Sequence, residues 1–193
     1  MRRKAFKVLA SFLVFVVSYA LFLAVWVKVR TYYGHPMNFL AAQLAAFSLN
    51  IDVEAVKKSA ASKEKITMTK PIATTRGLAD LVVDQTVDIN NYTFNVPLTA
   101  ALLVACLIFM RWPWYSLIEG LFIIMLGHLL YLYSYLMLNF QKVLVNLTAM
   151  KISWLREIFW EFAWAFADNL VIRFEPFLVV VIIWLLYGKR ELE

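Results

Sequence analysis

The chain has 193 residues, of which 63% are hydrophobic, 16% aromatic and 17% charged, and its formal net charge is +6. Its mean hydropathy of +0.71 excludes an ordinary soluble domain and predicts an integral membrane protein. The basic residues form no compact block, which argues against a nucleic-acid partner. They indicate instead orientation in a membrane and contact with anionic lipids. The single cysteine, Cys106, excludes an intrachain disulfide and a cysteine-based metal site.

Residues 1–30 are predicted to form an N-terminal transmembrane anchor. The uncharged run Val8–Val27 has about the 20 residues that cross the hydrocarbon layer, and it is longer than the core of a signal peptide. The basic residues that precede this run are Arg2, Arg3, Lys4 and Lys7. We therefore predict an uncleaved first span with a cytoplasmic N-terminus.

Residues 31–95 are predicted to form a small extracytoplasmic α+β segment. An amphipathic helix is expected to begin near Pro36, and residues 51–61 are compatible with its continuation. Ile66–Lys70 and Asp80–Ile89 are rich in β-branched residues and predict two or three strands. The helix is predicted from the spacing of Met37, Leu40, Leu44 and Phe47. In the second stretch, Val83, Val87 and Ile89 lie on one side. A segment of this size has a small core, so we expect it to lean on the membrane or on a partner.

Residues 96–138 are predicted to form a transmembrane hairpin. Its first span is Val96–Met110, with Pro97 in the first turn, where a missing N–H group costs nothing. Its second span is Trp114–Leu138. The connection Arg111-Trp112-Pro113 is too short to cross a membrane, so the two spans are expected to be antiparallel.

Residues 139–175 are predicted to form an interfacial amphipathic segment, and residues 176–193 the last transmembrane helix with a cytoplasmic tail. One helical face of the amphipathic segment is apolar and comprises Leu155, Ile158, Phe159, Phe162 and Phe166. The last apolar run, Pro176–Tyr187, extends only about 18 Å as a helix. It therefore has to recruit the preceding turn, thin the bilayer or pack against protein.

The basic residues of the short loops and termini predict the orientation. Arg111, Lys189, Arg190 and the basic N-terminus all fall on one side of a four-span arrangement. Positively charged short loops stay in the cytoplasm, so both termini are predicted to be cytoplasmic.

No pattern in the sequence identifies a reaction, and we assign no catalytic, cofactor-binding or metal-binding residue. His128 is a functional-site hypothesis because it is ionisable and lies within an apolar span, with Tyr131 and Tyr135 on its face of the helix. The favoured interpretation is a neutral histidine that is hydrogen-bonded inside a helix bundle. On that interpretation, replacement by glutamine should leave assembly nearly intact.

Other polar residues have structural interpretations. Glu119 lies about 13 Å along the helix from His128 and on the opposite face, and is predicted to be a helix N-terminal charge or a partner of Arg111. Cys106 and His128 are predicted to lie at different depths, which argues against a thiolate–imidazole pair. The polar residues Asp88, Asn90 and Asn91 are predicted to form a turn before the second span rather than a calcium site.

Two stretches carry a resemblance to a known family. Residues 88–102 read Asp-Ile-Asn-Asn-Tyr-Thr-Phe-Asn-Val-Pro-Leu-Thr-Ala-Ala-Leu, and residues 176–193 form the closing apolar run with its basic end. Together with the order of the segments, they make the chain similar to exosortase H-associated membrane proteins, small inner-membrane proteins of Gram-negative bacteria. The resemblance implies an inner-membrane companion of a protein-sorting enzyme and carries over no catalytic residue.

Three hypotheses of function remain open. The first is a non-enzymatic accessory or scaffold subunit of an inner-membrane complex, companion to an exosortase-type sorting enzyme. The second is a subunit of a respiratory, photosynthetic or secretion assembly. The third is a membrane enzyme that uses His128. Under the first, the expected partners are other integral membrane proteins and anionic lipids, with no nucleic acid and no cofactor.

Overall fold

The computed structural model describes residues 2–59, 62–74, 77–110, 112–148 and 153–188. Its helices are α1 (Arg2–Leu49), α2 (Asn90–Thr93), α3 (Val96–Met110), α4 (Ser116–Thr148), α5 (Trp154–Phe166) and α6 (Arg173–Tyr187), with a π-helical segment (Ala167–Ile172) between the last two. Its strands are β1 (Asp52–Lys58), β2 (Lys63–Thr74) and β3 (Gly77–Asp88). The expected mainly helical architecture with a small sheet is confirmed.

Four helical runs in the described ranges are long and apolar enough to cross a membrane. They are Leu9–Leu49, Asn90–Met110, Ser116–Asn146 and Trp154–Tyr187. This length and composition favour a multi-pass membrane protein. Arg111, Lys189 and Arg190, on which the predicted orientation depends, lie outside the described residues.

The first span and the first predicted aqueous helix are a single helix, which corrects the expected helix start near Pro36. Pro36 lies inside α1, and the alanine-rich sequence after it favours continuation of the helix. Leu40, Leu44 and Phe47 of the predicted apolar face are exposed, so contact of this face with the membrane or a partner stays a prediction. The packed face is formed mainly by small residues, namely Met37, Asn38, Ala41, Ala42, Ala45, Ala46 and Leu49. Small side chains allow the sheet to approach α1 closely. A pattern of large apolar residues does not indicate such a face.

A Schellman motif ends α1 and leads directly into the sheet. Asn50 adopts a left-handed conformation with φ of 51°. The backbone N–H of Asn50 donates to the carbonyl of Phe47 at 3.4 Å, and that of Ile51 donates to the carbonyl of Ala46 at 3.0 Å. The chain therefore enters β1 where a continued helix was expected, and that expectation is wrong.

The described strands form an antiparallel sheet in the order β1-β2-β3. β2 and β3 confirm the strands predicted around Ile66–Lys70 and Asp80–Ile89. The predicted inner face is also confirmed, since Val83, Val87 and Ile89 are buried together with Ile66 and Met68 of β2. These side chains and the small-residue face of α1 belong to one hydrophobic core.

The predicted hairpin is present, but its second helix is longer than expected. α4 continues past Leu138 to Thr148. Phe140, Gln141 and Leu144 of this extension are buried, so residues that were assigned to a surface segment instead extend the core.

α5 and α6 form one helical run through the π-helical segment, and the predicted boundary at residue 175 falls inside α6. The last span thus recruits the preceding turns, one of the three solutions expected for it. α5 packs lengthwise on α4, where the Tyr133 and Trp160 rings lie 5.4 Å apart and Lys142 Nζ lies 3.2 Å from Glu161 Oε1. It therefore lies against the helix bundle, while its own side chains stay at the surface.

Candidate functional site

His128 lies at the centre of a buried polar cluster that joins three helices. Its ring is fully buried on α4. Nδ1 lies 2.8 Å from the Tyr33 hydroxyl of α1, and Nε2 lies 2.9 Å from Oε1 of Glu175 of α6. The Glu175 side chain is only 3% exposed. We call Tyr33, His128 and Glu175 the His128 cluster.

The geometry fixes which ring nitrogen faces a negative charge. Nε2 faces a carboxylate oxygen of Glu175, and Nδ1 faces the Tyr33 hydroxyl. The Nε2–Oε1 contact is short but not directed along the N–H bond. Within the described part of the chain, neither carboxylate oxygen of Glu175 has a directed hydrogen bond. The pair is therefore held by electrostatic attraction in an apolar environment, where each partner depends on the other.

Aromatic rings enclose the His128 cluster. The Tyr33 and Tyr92 rings lie edge-on to the imidazole, with centroids 5.7 and 5.3 Å away. Trp26 packs on Tyr33 at 5.3 Å, and Tyr131 packs on Tyr92 at 6.0 Å. These rings exclude water from the imidazole.

A second buried carboxylate lies beside this enclosure, on strand β2. Glu64 Oε2 accepts from the Asn38 side-chain amide at 3.0 Å, and Oε1 lies 3.1 Å from Nδ1 of His35. The Tyr92 hydroxyl donates to Oδ1 of Asn38 at 3.2 Å. We call His35, Asn38 and Glu64 the Glu64 cluster. The Tyr92 ring also packs edge-on to His128, so the two clusters lie side by side and together join the sheet to the helices.

The arrangement holds three helices together, and the side chains of His128 and Glu175 are closed to solvent. A general base has to lie within hydrogen-bond reach of the group it deprotonates. His128 is fully buried, and its hydrogen-bonding atoms face Tyr33 and Glu175. Among the described residues, no group of three histidine, cysteine, aspartate or glutamate side chains could hold a metal ion.

The other residues singled out in the sequence lie apart from His128. Glu119 accepts a hydrogen bond from the Tyr187 hydroxyl at 2.6 Å, at the opposite end of α6 from Glu175. Cys106 packs with a separate apolar core, which contains Trp112 and Ile183. Asp88 Oδ1 accepts from the backbone N–H of Asn90 at 3.0 Å, as expected of a turn before the second span.

Sequence reasoning did not find the partners of His128. Tyr33 was placed in the polar segment, and Glu175 was placed at the end of a surface segment. One signal was available for Glu175, because an acid adjoining an apolar run needs a buried partner and His128 has the same need. No comparable signal distinguishes Tyr33 from Tyr32.

In comparisons with known proteins, no family model, curated protein or solved structure matches the chain.

Proposed function

We propose that the chain is a non-enzymatic accessory subunit of an inner-membrane protein complex. The observation that carries this proposal is an apolar stripe on α5 that no described residue covers. Its exposed fractions are 65% for Leu155, 49% for Ile158, 57% for Phe159, 67% for Phe162 and 43% for Phe166. Contiguous exposed apolar surface marks an interaction site for protein or membrane.

The position of the stripe along the bundle bears on whether protein or lipid contacts it. Tyr33 and Glu175 both contact His128, so they mark one level. At 1.5 Å per residue, the uncharged run of α1 ends at Val27, about 9 Å to one side of this level. The α5 stripe begins at Phe166, about 13 Å to the other side, and reaches Leu155 at about 30 Å.

A bilayer that covers the uncharged run of α1 does not reach the stripe. The stripe lies about 22–39 Å beyond Val27, whereas the head-group layer adds only about 5–8 Å per side. α5 lies beside the far part of α4 and does not fold back toward the membrane, as the Lys142–Glu161 contact requires. A bilayer about 30 Å thick that begins at the ends of α4 and α6, about 18 Å from the His128 level, extends about 12 Å past this level and reaches only the Phe166 end of the stripe. Protein is therefore the cover that we propose for the part of the stripe that lies beyond it.

The closed His128 cluster supports a role without catalysis. It connects α1, α4 and α6, and the Glu64 cluster beside it connects α1 to the sheet. The two clusters hold the sheet against α1, and α6 against α1 and α4. A rigid platform of this kind suits a scaffold that presents a docking surface.

The direction of the helices and the basic residues support the orientation that we propose. α1, α3, α4 and α6 alternate in direction, so the start of α1, the connection 112–115 and the end of α6 lie at one end. In the sequence, the basic N-terminus begins α1, Arg111 adjoins the connection 112–115 and Lys189 follows α6. Basic residues of short loops and termini favour the cytoplasm, so we place this end there. The sheet and α5 are then extracytoplasmic.

The finer identity of the complex rests on the resemblance of residues 88–102 and 176–193. It makes an exosortase-type sorting enzyme the companion that we propose. A respiratory, photosynthetic or secretion assembly is the alternative, and the list of copurifying proteins distinguishes the two. The chain itself contributes the α5 stripe in either case.

We expect Phe162→Ala to reduce copurification of the partner. Truncating a large side chain in a protein groove costs about 2–4 kcal/mol of binding free energy, or tenfold or more in affinity. The measurement is quantitative mass spectrometry after affinity purification of the full chain in mild detergent. Phe122→Ala is the matched control, because Phe122 is 53% exposed and adjoins Leu121, which lines a groove with Phe22 in the apolar layer. Equal partner loss in the two variants would contradict the docking role of α5.

A further inference from the structure

An apolar groove runs between α1 and α3 on the membrane-facing side of the bundle. Its volume is about 380 Å³, and every residue that lines it is apolar. The groove extends from Val29 and Val96 at one end to Phe22 and Val104 at the other, with Trp26 and Ala100 between them. The small side chain of Ala100 leaves open the space between the two helices.

The dimensions of the groove select a single hydrocarbon chain as its occupant. Seven residues of α1 separate its ends, which is about 10 Å. A partner helix would not fit, because a helix with its side chains is about 10 Å across. A helical segment about 10 Å long would need about twice the volume of the groove. An extended acyl chain is narrower, and its remainder can continue along the exposed face of α1 at Leu21 and Val17.

Basic side chains lie at the end of the groove formed by Val29 and Val96. Lys28 and Arg30 flank Val29 in the sequence, and Lys28 is exposed. Arg30 Nη1 donates to Oδ1 of Asn90 at 2.7 Å, which fixes the guanidinium beside the start of α2, the short helix that precedes α3. The acid closest in sequence to Asn90, Asp88, accepts from the Asn90 backbone and is thus turned onto the start of α2. Lys28 and Arg30 outweigh the charge of Asp88, so these three groups together are positive.

We infer that this groove is a binding site for a phospholipid with a net negative head group. One acyl chain occupies the groove, and the phosphate lies at Arg30 and Lys28, where ion pairing adds to the burial of hydrocarbon. The site extends the general expectation of anionic lipid contact to one defined position. It does not depend on the partner proposed for α5.

Native mass spectrometry of the full chain in mild detergent tests the site. The purified chain is titrated with phosphatidylglycerol and, separately, with phosphatidylcholine. We expect Arg30→Gln to weaken binding of phosphatidylglycerol by about fivefold and to leave phosphatidylcholine unchanged. Arg30→Lys should retain most of the preference, because it keeps the charge. Ala100→Phe should abolish binding of both lipids by filling the groove.

Ala24→Phe is the matched control, since Ala24 is exposed on α1 outside the groove. It should bind both lipids like the unaltered chain. Unchanged binding by Ala100→Phe would mean annular lipid only and would overturn the site. Loss of binding in Ala100→Phe with no preference for phosphatidylglycerol in any variant would overturn the assignment of a negative head group. Equal loss in Ala24→Phe and Ala100→Phe would also contradict a defined groove.

Discussion

Replacing His128 by leucine is expected to lower the free energy of unfolding of the purified chain by about 3–5 kcal/mol. The substitution leaves the carboxylate of Glu175 buried and unpaired, at a position where the side chain is only 3% exposed. It also removes the partner of the Tyr33 hydroxyl. This expectation differs from the tolerance to substitution that the sequence alone favoured, because only the packing of α6 on α4 brings the acid at Glu175 to the ring.

A double-mutant cycle separates this effect from simple loss of packing. Glu175→Leu alone should also destabilise the chain, since it leaves Nε2 of His128 without its partner. The double variant His128→Leu/Glu175→Leu should be markedly more stable than the sum of the single changes predicts, because replacement of a whole buried pair by apolar residues is often nearly neutral. Denaturant unfolding in detergent, followed by tryptophan fluorescence, measures all three variants. Additive losses would contradict the pairing of His128 with Glu175.

Replacing Asn38 by leucine is expected to be the second most damaging change, at about 2–4 kcal/mol. Asn38 is fully buried and donates to the carboxylate of Glu64, and it accepts from the hydroxyl of Tyr92. Its loss leaves one buried charge with only His35 as a partner and one buried hydroxyl without its side-chain acceptor. Hydrogen bonds to charged groups contribute about 1.5–3 kcal/mol, which accounts for most of the expected effect.

The matched test adds Glu64→Leu to the Asn38 variant. Removing the charge as well should restore part of the lost stability, because no carboxylate then remains buried without its amide donor. Asn169→Leu serves as the control, since the Asn169 side chain is exposed and bonds only to the carbonyl of Ala165 in its own helical turn. If Asn38→Leu were no more destabilising than Asn169→Leu, the Glu64 cluster would not connect the sheet to α1.

Local patterns in the sequence predicted the elements with strong periodicity. The apolar run Val96–Met110 became α3 with the same bounds, and the alternation Val83, Val87 became the inner face of β3. β1 was not found because Asp52–Lys58 mixes charged and apolar residues and its pairing with β2 is irregular between Val53 and Ala55. A strand of this kind is stabilised by its neighbour more than by its own propensity.

The candidate site could be predicted only in part, because its geometry depends on contacts between distant segments. His128 was recognisable as an ionisable residue in an apolar span. Tyr33 is 95 residues away from it in the sequence, and only the packing of α1 on α4 brings the two together. Glu175 reaches the ring because α6 begins before Pro176, which the apolar run alone does not indicate.

Site-specific photo-crosslinking from α5 tests the proposed accessory role most directly. A photoreactive amino acid is placed at Phe159, in the exposed stripe, and in a second variant at Phe122, in the apolar layer. Both variants are expressed in the source cells at the native level and irradiated in intact membranes. The accessory role predicts a discrete crosslinked protein of another chain from position 159 and none of that mass from position 122. A chain that forms no protein adduct from position 159, and is recovered as a stable monomer, would contradict it.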